Sequence, residues 1–162
     1  MKITTSQLFE TVSPLLRDGG TVSFCISGNS MLPFLRNGER VTLIRKSEYL
    51  PGDIVLARTD RDRYCKDGLS CRNKDVLPNS GKDGLVVLHY VVSFGDGIYK
   101  LMGSANLRQV EYCRAEDIAG YVIMPIISRH KIMSWHKFLP IRRYLLFLLR
   151  KISSYKEKST LF

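Results

Sequence analysis

Residues 26–41 read ISGNSMLPFLRNGERV, and this stretch holds the most specific pattern in the chain. Glycine, serine, methionine and proline follow one another there too closely for a regular helix or a long strand. We therefore predict that Ser30 lies at an irregular turn, where Gly28 lets the backbone approach a bound chain and Pro33 fixes the exit. This turn suits a nucleophilic serine, although such turn serines also serve only to satisfy local backbone hydrogen bonds.

Three further patterned segments follow in order: Gly52–Val55 (GDIV), Val87–Val92 (VLHYVV) and Leu101–Asn106 (LMGSAN). With Ser27–Gly38 they resemble the four boxes of type I signal peptidases, which are S-G-x-S-M-x-P-x-L-x-x-G, G-D-I-V, V-x-H-R-V-V and L-x-G-D-x-N. The resemblance covers roughly residues 22–124. It is closest to the endoplasmic-reticulum and archaeal branch, which uses a histidine base, within a superfamily that also includes the self-cleaving SOS repressors.

The resemblance implies catalytic roles for Ser30 and His89. Ser30 stands where the family has its nucleophile, and a serine hydroxyl needs a base within hydrogen-bond reach to take its proton. His89 stands at the base position, in an apolar strand whose partial burial keeps the imidazole neutral. Without the resemblance, a lone histidine in such a strand is also typical of a satisfied core residue.

The third catalytic position departs from the family pattern. Ser104 stands where the histidine-using branch has an aspartate, and a serine supplies no negative charge to an imidazolium. Three alternatives remain open: a Ser/His pair alone, an orienting carboxylate from Asp96 or Asp117, or loss of activity. Tyr90 also replaces the arginine that usually follows the histidine.

The Ser30 box is also expected to bind the oxyanion and the substrate. The family implies that the backbone N–H of Ser30 donates to the developing oxyanion, with help from Ser27 or Gly28. Met31 and Pro33 complete the predicted substrate-binding set.

We therefore predict a serine endopeptidase that cleaves leader or signal-like peptides. The family prefers small side chains just before the cut, in an extended peptide that adds to a strand edge. One alternative is a non-catalytic peptide-binding member of the same fold. Another is a self-cleaving regulator in which Lys100 takes the place of the histidine base.

The fold is predicted to be mainly β. Short strands with turn signals every eight to twelve residues indicate an all-β body, and the resemblance implies a coiled antiparallel sheet. A short helix is expected to start at Thr5 or Ser6 and to end at Arg17. The predicted strands are Thr21–Ile26, Arg40–Lys46, Ile54–Arg58, Leu85–Ser93, Ile98–Met102, a short strand within Glu111–Ile118, and Gly120–Pro125. We expect a catalytic domain over residues 1–128, with a polar insertion at 59–84, and a tail over 129–162.

The tail carries most of the charge of this +10 chain. Residues 1–128 hold 16 Lys+Arg against 14 Asp+Glu, whereas residues 129–162 hold 9 against Glu157 alone. The body therefore offers no basic face for nucleic acid. Apolar residues at helical spacing predict a basic amphipathic helix over 135–153, kinked or restarted at Pro140, and too short for the roughly 20 residues that span a bilayer. It is expected to bind an anionic membrane surface or to pack on the body or a partner.

The remaining composition argues against a metal or another cofactor. The four cysteines form no C-x-x-C pair, and only three scattered histidines accompany them. Cys65 and Cys71 lie in one polar loop, as a disulfide in an oxidising compartment or as free thiols. Because residues 1–7 contain no apolar export segment, we expect a cytoplasmic protein, peripheral on the inner face of the membrane where the tail binds lipid.

Overall fold

A computed structural model describes residues 4–59, 84–106, 109–123 and 129–138. Seven strands and two helices make up this part of the chain. In chain order they are α1 (Thr5–Arg17), β1 (Val22–Cys25), β2 (Arg40–Ile44), β3 (Ile54–Thr59), β4 (Leu85–Gly95), β5 (Ile98–Met102), β6 (Val110–Arg114), β7 (Ile118–Val122) and α2 (Arg129–Lys137). A short 3₁₀ turn, Ala115–Asp117, joins β6 to β7.

All seven strands form one curled antiparallel sheet. Their order across it is β1-β2-β7-β3-β4-β5-β6. The long strand β4 pairs with β3 through residues 85–90 and with β5 from residue 90 onward. Among the described strands, the first half of β4 therefore has one free backbone edge, and the outer edge of β1 is free as well.

Helix α1 forms because its apolar residues recur on one side and its first turn is capped. Thr4 accepts a hydrogen bond from the Gln7 N–H, and the Gln7 side chain accepts one from the Thr4 N–H in return. Phe9, Val12 and Leu16 are buried and join the core cluster on one face of the sheet. Burying each such side chain stabilises the fold by roughly 1.5–3 kcal/mol.

Helix α2 packs on the same cluster through Ile132, which is 2% exposed. Its first residue lies against Gly52, where an added Cβ would come within 2.7 Å of the Arg129 carbonyl oxygen. The neighbouring carboxylate of Asp53 accepts a hydrogen bond from Lys46 Nζ at 3.0 Å and lies 3.7 Å from Arg129 Nε. The GDIV segment thus begins β3 and also contacts α2.

The structure confirms the predicted mainly β fold and the helix at residues 5–17. Two details differ. Residue 110 already lies in β6, which ends at Arg114, and α2 starts at Arg129, six residues before the predicted amphipathic helix. The earlier start follows from tertiary packing, because Ile132 and the Gly52 contact fix a segment whose sequence is mostly polar. Residues 139–153 of the predicted tail helix, Pro140, most of the polar insertion, Cys65 and Cys71 lie outside the described residues.

Candidate active site

Ser30 lies in the irregular turn between β1 and β2. The turn is closed by hydrogen bonds from the N–H groups of Phe34 and Leu35 to the Met31 carbonyl, at 2.9 and 3.0 Å. The Leu32–Pro33 peptide bond within it is cis. Ser30 is exposed, and within the described residues neither its hydroxyl nor its N–H makes a hydrogen bond.

The segment after β5 is tied to this turn. The N–H of Ala105 donates to the Ser30 carbonyl at 2.8 Å, and the Ser104 hydroxyl donates to the Leu32 carbonyl at 2.8 Å. Because Gly103 has no side chain, the Ser30 turn and the His89 ring can both approach this segment closely. An added Cβ there would lie 2.8 Å from the Ser30 carbonyl oxygen and 2.8 Å from His89 Nε2. The Ser30 turn and the His89 ring therefore meet at Gly103.

His89 is held on β4 with only 4% of its surface exposed. Its Nδ1 is hydrogen-bonded to Oε2 of Glu111. Because a carboxylate only accepts hydrogen bonds, Nδ1 is the donor in this contact, and Nε2 beside Gly103 is the nitrogen that can accept a proton in the neutral ring. The arrangement suits a base that takes a proton from a group near the Ser30 turn.

Glu111, the partner of His89, is 1% exposed. Its other carboxylate oxygen, Oε1, accepts a hydrogen bond from Gln109 Nε2 at 3.1 Å. None of the sequence patterns singled out this residue as a site residue. The sequence held one signal. Glu111 and Cys113 are two residues apart and therefore lie on the same face of β6, which is buried, and an acid on a buried face needs a partner.

Ser104 does not take the aspartate's place beside the imidazole. Its hydroxyl is fully buried and bonded to the Leu32 carbonyl, and it lies 4.0 Å from the Met31 sulfur. The two alternative carboxylates do not reach the ring either. Asp96 lies in the hairpin turn after β4, and Asp117 accepts from the N–H of Arg114 in the 3₁₀ turn. Among the described residues, the carboxylate hydrogen-bonded to the ring is that of Glu111 on β6.

The remaining predicted site residues differ in their burial and in their hydrogen bonds. The N–H of Gly28 donates to the Asn37 side chain at 3.1 Å, so in this structure it is already engaged. Ser27 is exposed beside Ser30, Met31 is buried in the core at 3%, and Pro33 is half-buried. Within the described residues, the N–H groups of Ser27, Ser30 and Met31 make no hydrogen bond, so that Gly28 is the member of this set whose N–H is engaged.

Ser27, Gly28, Ser30, Met31, His89 and Glu111 line one cleft of about 580 Å³. The cleft extends between β1 and the free half of β4 as far as the start of α1. Lys100, the candidate base of the lysine alternative, is not among its lining residues. No metal-binding group of His, Cys, Asp or Glu side chains occurs in the described part of the chain.

Helix α2 packs against three elements that carry the site residues. The Trp135 indole N–H donates to the Ser104 carbonyl at 3.4 Å, and its ring packs edge-on against Phe34 with centroids 6.0 Å apart. On the next residue, His136 Nδ1 is hydrogen-bonded to the hydroxyl of Tyr90 at 2.8 Å. The helix thereby contacts the Ser30 turn, the segment after β5 and the strand of His89.

Comparison with known proteins gives one match. A model of the Peptidase S24-like family matches residues 4–75, which include α1, the first three strands and Ser30 but not His89 or Glu111. No curated protein and no solved structure gives a significant match. The match and the curled sheet support the superfamily that unites the S24-like peptidases with signal peptidase I, without distinguishing its branches. The family suggests a serine peptidase or a self-cleaving regulator, and the predicted resemblance is supported at the level of the superfamily.

Neither helix in the part of the chain that the structure describes has the length and hydrophobicity that a membrane span requires.

Proposed function

We propose that the protein is a serine endopeptidase of signal-peptidase type, which cleaves leader or signal-like peptides. The observation that carries the proposal is the buried hydrogen bond between His89 and Glu111, with the second ring nitrogen beside Gly103 and the Ser30 turn. A base, an orienting carboxylate and a serine around one cleft are the parts that acyl transfer needs.

In the proposed mechanism, His89 Nε2 takes the proton of the Ser30 hydroxyl as its oxygen attacks the peptide carbonyl. The imidazolium that forms is stabilised by the Glu111 carboxylate through Nδ1–H. The tetrahedral oxyanion accepts a hydrogen bond from the Ser30 N–H. Nε2 then protonates the leaving amine, the acyl-enzyme forms, and His89 activates the water that hydrolyses it.

The free strand edges support an extended peptide substrate. The outer edge of β1 and the first half of β4 both border the cleft, and each offers unpaired backbone groups within the described sheet. A peptide that lies between them gains main-chain hydrogen bonds regardless of its sequence. This binding brings the scissile bond to the Ser30 end of the cleft.

Two other functions predict different results. A self-cleaving regulator cuts its own chain in a Ser30-dependent reaction, without added peptide. A non-catalytic binding module takes up peptide and cuts nothing. The buried carboxylate on His89 favours catalysis over binding alone, because burying an ionisable pair costs free energy that a binding cleft does not require.

The test is cleavage of a panel of leader-like peptides, read by mass spectrometry. We expect cleavage by the wild type and a loss of at least about 10²-fold in Ser30→Ala and in His89→Ala. Ser23→Ala and His130→Ala are matched controls, since neither residue lines the cleft. Activity that survives in Ser30→Ala contradicts the proposal, and fragments of the wild-type chain incubated alone indicate the regulator.

A further inference from the structure

The cleft has two chemically different ends. At the Ser30 end it is lined by polar and ionisable side chains, including Asn106, Gln109 and Glu111. Toward α1, apart from Thr4 and Thr5, its wall is apolar and is contributed by Leu8, Phe24, Ile26, Leu56, Val86 and Leu88. The described lining residues include no lysine or arginine.

The apolar end is an open continuation of the protein core. Ile26, Leu56 and Val86 belong to the buried cluster beneath α1. Leu8, Phe24 and Leu88 pack against that cluster but are only partly buried, so each keeps apolar surface exposed. A ligand that covers this surface gains free energy in proportion to the apolar area removed from water.

We propose that this end of the cleft is a subsite for a large aliphatic or aromatic side chain of the substrate peptide, with Leu8 of α1 as a specificity-determining residue. The inference rests on the proposed function and goes beyond the small side chains that the family resemblance implies. A methyl group covers little of an apolar wall to which Leu8, Phe24 and Leu88 each contribute exposed surface. An alanine in this subsite leaves most of the apolar wall without partner atoms, whereas leucine or phenylalanine covers it.

The geometry of α1 explains how Leu8 acquires this role. The helix begins at Thr5 with Thr4 as its cap, and both threonines line the far end of the cleft. Leu8 lies in the same first turns, while Phe9, Val12 and Leu16 anchor the helix in the core. Leu8 is therefore presented to the cleft by a helix that other side chains anchor in the core.

Binding to the full-length Ser30→Ala protein tests this inference separately from catalysis. The probes are fluorescent extended peptides in which one position at a time is alanine, leucine or phenylalanine. Binding is read by fluorescence anisotropy. At one position we expect leucine or phenylalanine to bind about tenfold or more tightly than alanine. Leu8→Ala should remove most of that preference, whereas Leu15→Ala, which is 51% exposed on the same helix, should keep it.

Equal binding of the alanine and leucine peptides at every position, or no binding of any peptide, overturns the subsite. So does a preference that Leu8→Ala leaves unchanged while circular dichroism shows an intact fold. Peptide hydrolysis by the wild type is measured in parallel. If hydrolysis depends on Ser30 but shows no preference for large apolar residues, the subsite is wrong and the proposed function stands.

Discussion

Nδ1 of His89 on β4 is hydrogen-bonded to Oε2 of Glu111 on β6, across a sequence separation of 22 residues. Both residues are at least 96% buried, and Gln109 occupies the other carboxylate oxygen. This contact gives the imidazole a fixed orientation and a fixed tautomer. It also places a carboxylate on the imidazole, although residue 104 is a serine and not an aspartate.

Glu111→Gln should lower kcat of peptide cleavage by about 10²-fold or more, because an amide keeps the hydrogen bond but supplies no charge to the imidazolium. Glu116→Gln, an exposed glutamate near the same strand, is the control and should retain activity. Steady-state kinetics on one peptide measures both variants. A Glu111→Gln enzyme with unchanged kcat would show that the carboxylate only fills the core.

Gly103→Ala should lower kcat of peptide cleavage strongly and the free energy of unfolding only slightly. The added Cβ would lie 2.8 Å from both His89 Nε2 and the Ser30 carbonyl oxygen, so the base and the nucleophile's turn must move apart. A displacement of about 1 Å at such a site costs about 10²-fold in rate. Gly95→Ala is the matched control, because a Cβ added there would meet nothing within 4 Å. Comparable kcat values for the two variants would contradict the close approach.

Ser104→Asp should not improve catalysis, although it restores the residue of the resembling family. The side chain is fully buried against the Leu32 carbonyl, which repels a carboxylate. Ser104→Ala should cost about 1–3 kcal/mol of unfolding free energy, since the Leu32 carbonyl loses this donor. Urea unfolding and peptide cleavage measure the two effects. Higher activity in Ser104→Asp would mean that residue 104 reaches the imidazole after all.

The sequence was most informative where local pattern determines structure. The run of Val, Leu and Tyr over residues 85–93 predicted β4, and the boxes picked out Ser30 and His89 as candidate site residues. Glu111 was missed because its contact with His89 depends on the pairing of β4, β5 and β6, including an irregular register between Val91 and Ser93. The start of α2 was missed for a similar reason, since Arg129 and Ile132 are fixed by contacts with the β3 region rather than by helical pattern.

Cys113 should make the fold sensitive to alkaline pH. Burial, followed by the nearby Asp117 and Glu111 carboxylates, raises the pKa of its thiol from 9.0 to about 12. The folded state therefore keeps a proton that the unfolded state releases above about pH 9. The contribution of the neutral thiol to the free energy of unfolding is thus intact below pH 9 and is lost as pH rises from 9 toward 12. Urea midpoints at pH 8 and pH 10 should differ less in Cys113→Ala than in the wild type. Cys25→Ala, at an exposed thiol, should keep the wild-type difference.

We also propose that the basic residues beyond α2 bind anionic lipid. Each Lys or Arg near such a surface contributes about 1 kcal/mol, so replacing Arg142, Arg143, Arg150 and Lys151 by glutamate should abolish sedimentation with phosphatidylserine vesicles. The control replaces Arg40, which is exposed on β2, by glutamate. Full-length protein that ignores the vesicles would withdraw the membrane role and leave the tail to a partner. The variants keep α2 in place, because its packing makes a truncation at residue 128 unsuitable.

The most direct test of the Ser30, His89 and Glu111 site is the rate at which a peptidyl phosphonate labels the protein, read by intact-mass and peptide mass spectrometry. We predict a single adduct on Ser30 in the wild type, none in Ser30→Ala, and labelling slowed by at least about 10²-fold in His89→Ala and Glu111→Gln. An adduct on another residue, or a wild-type rate in His89→Ala, would contradict the assignment of this site.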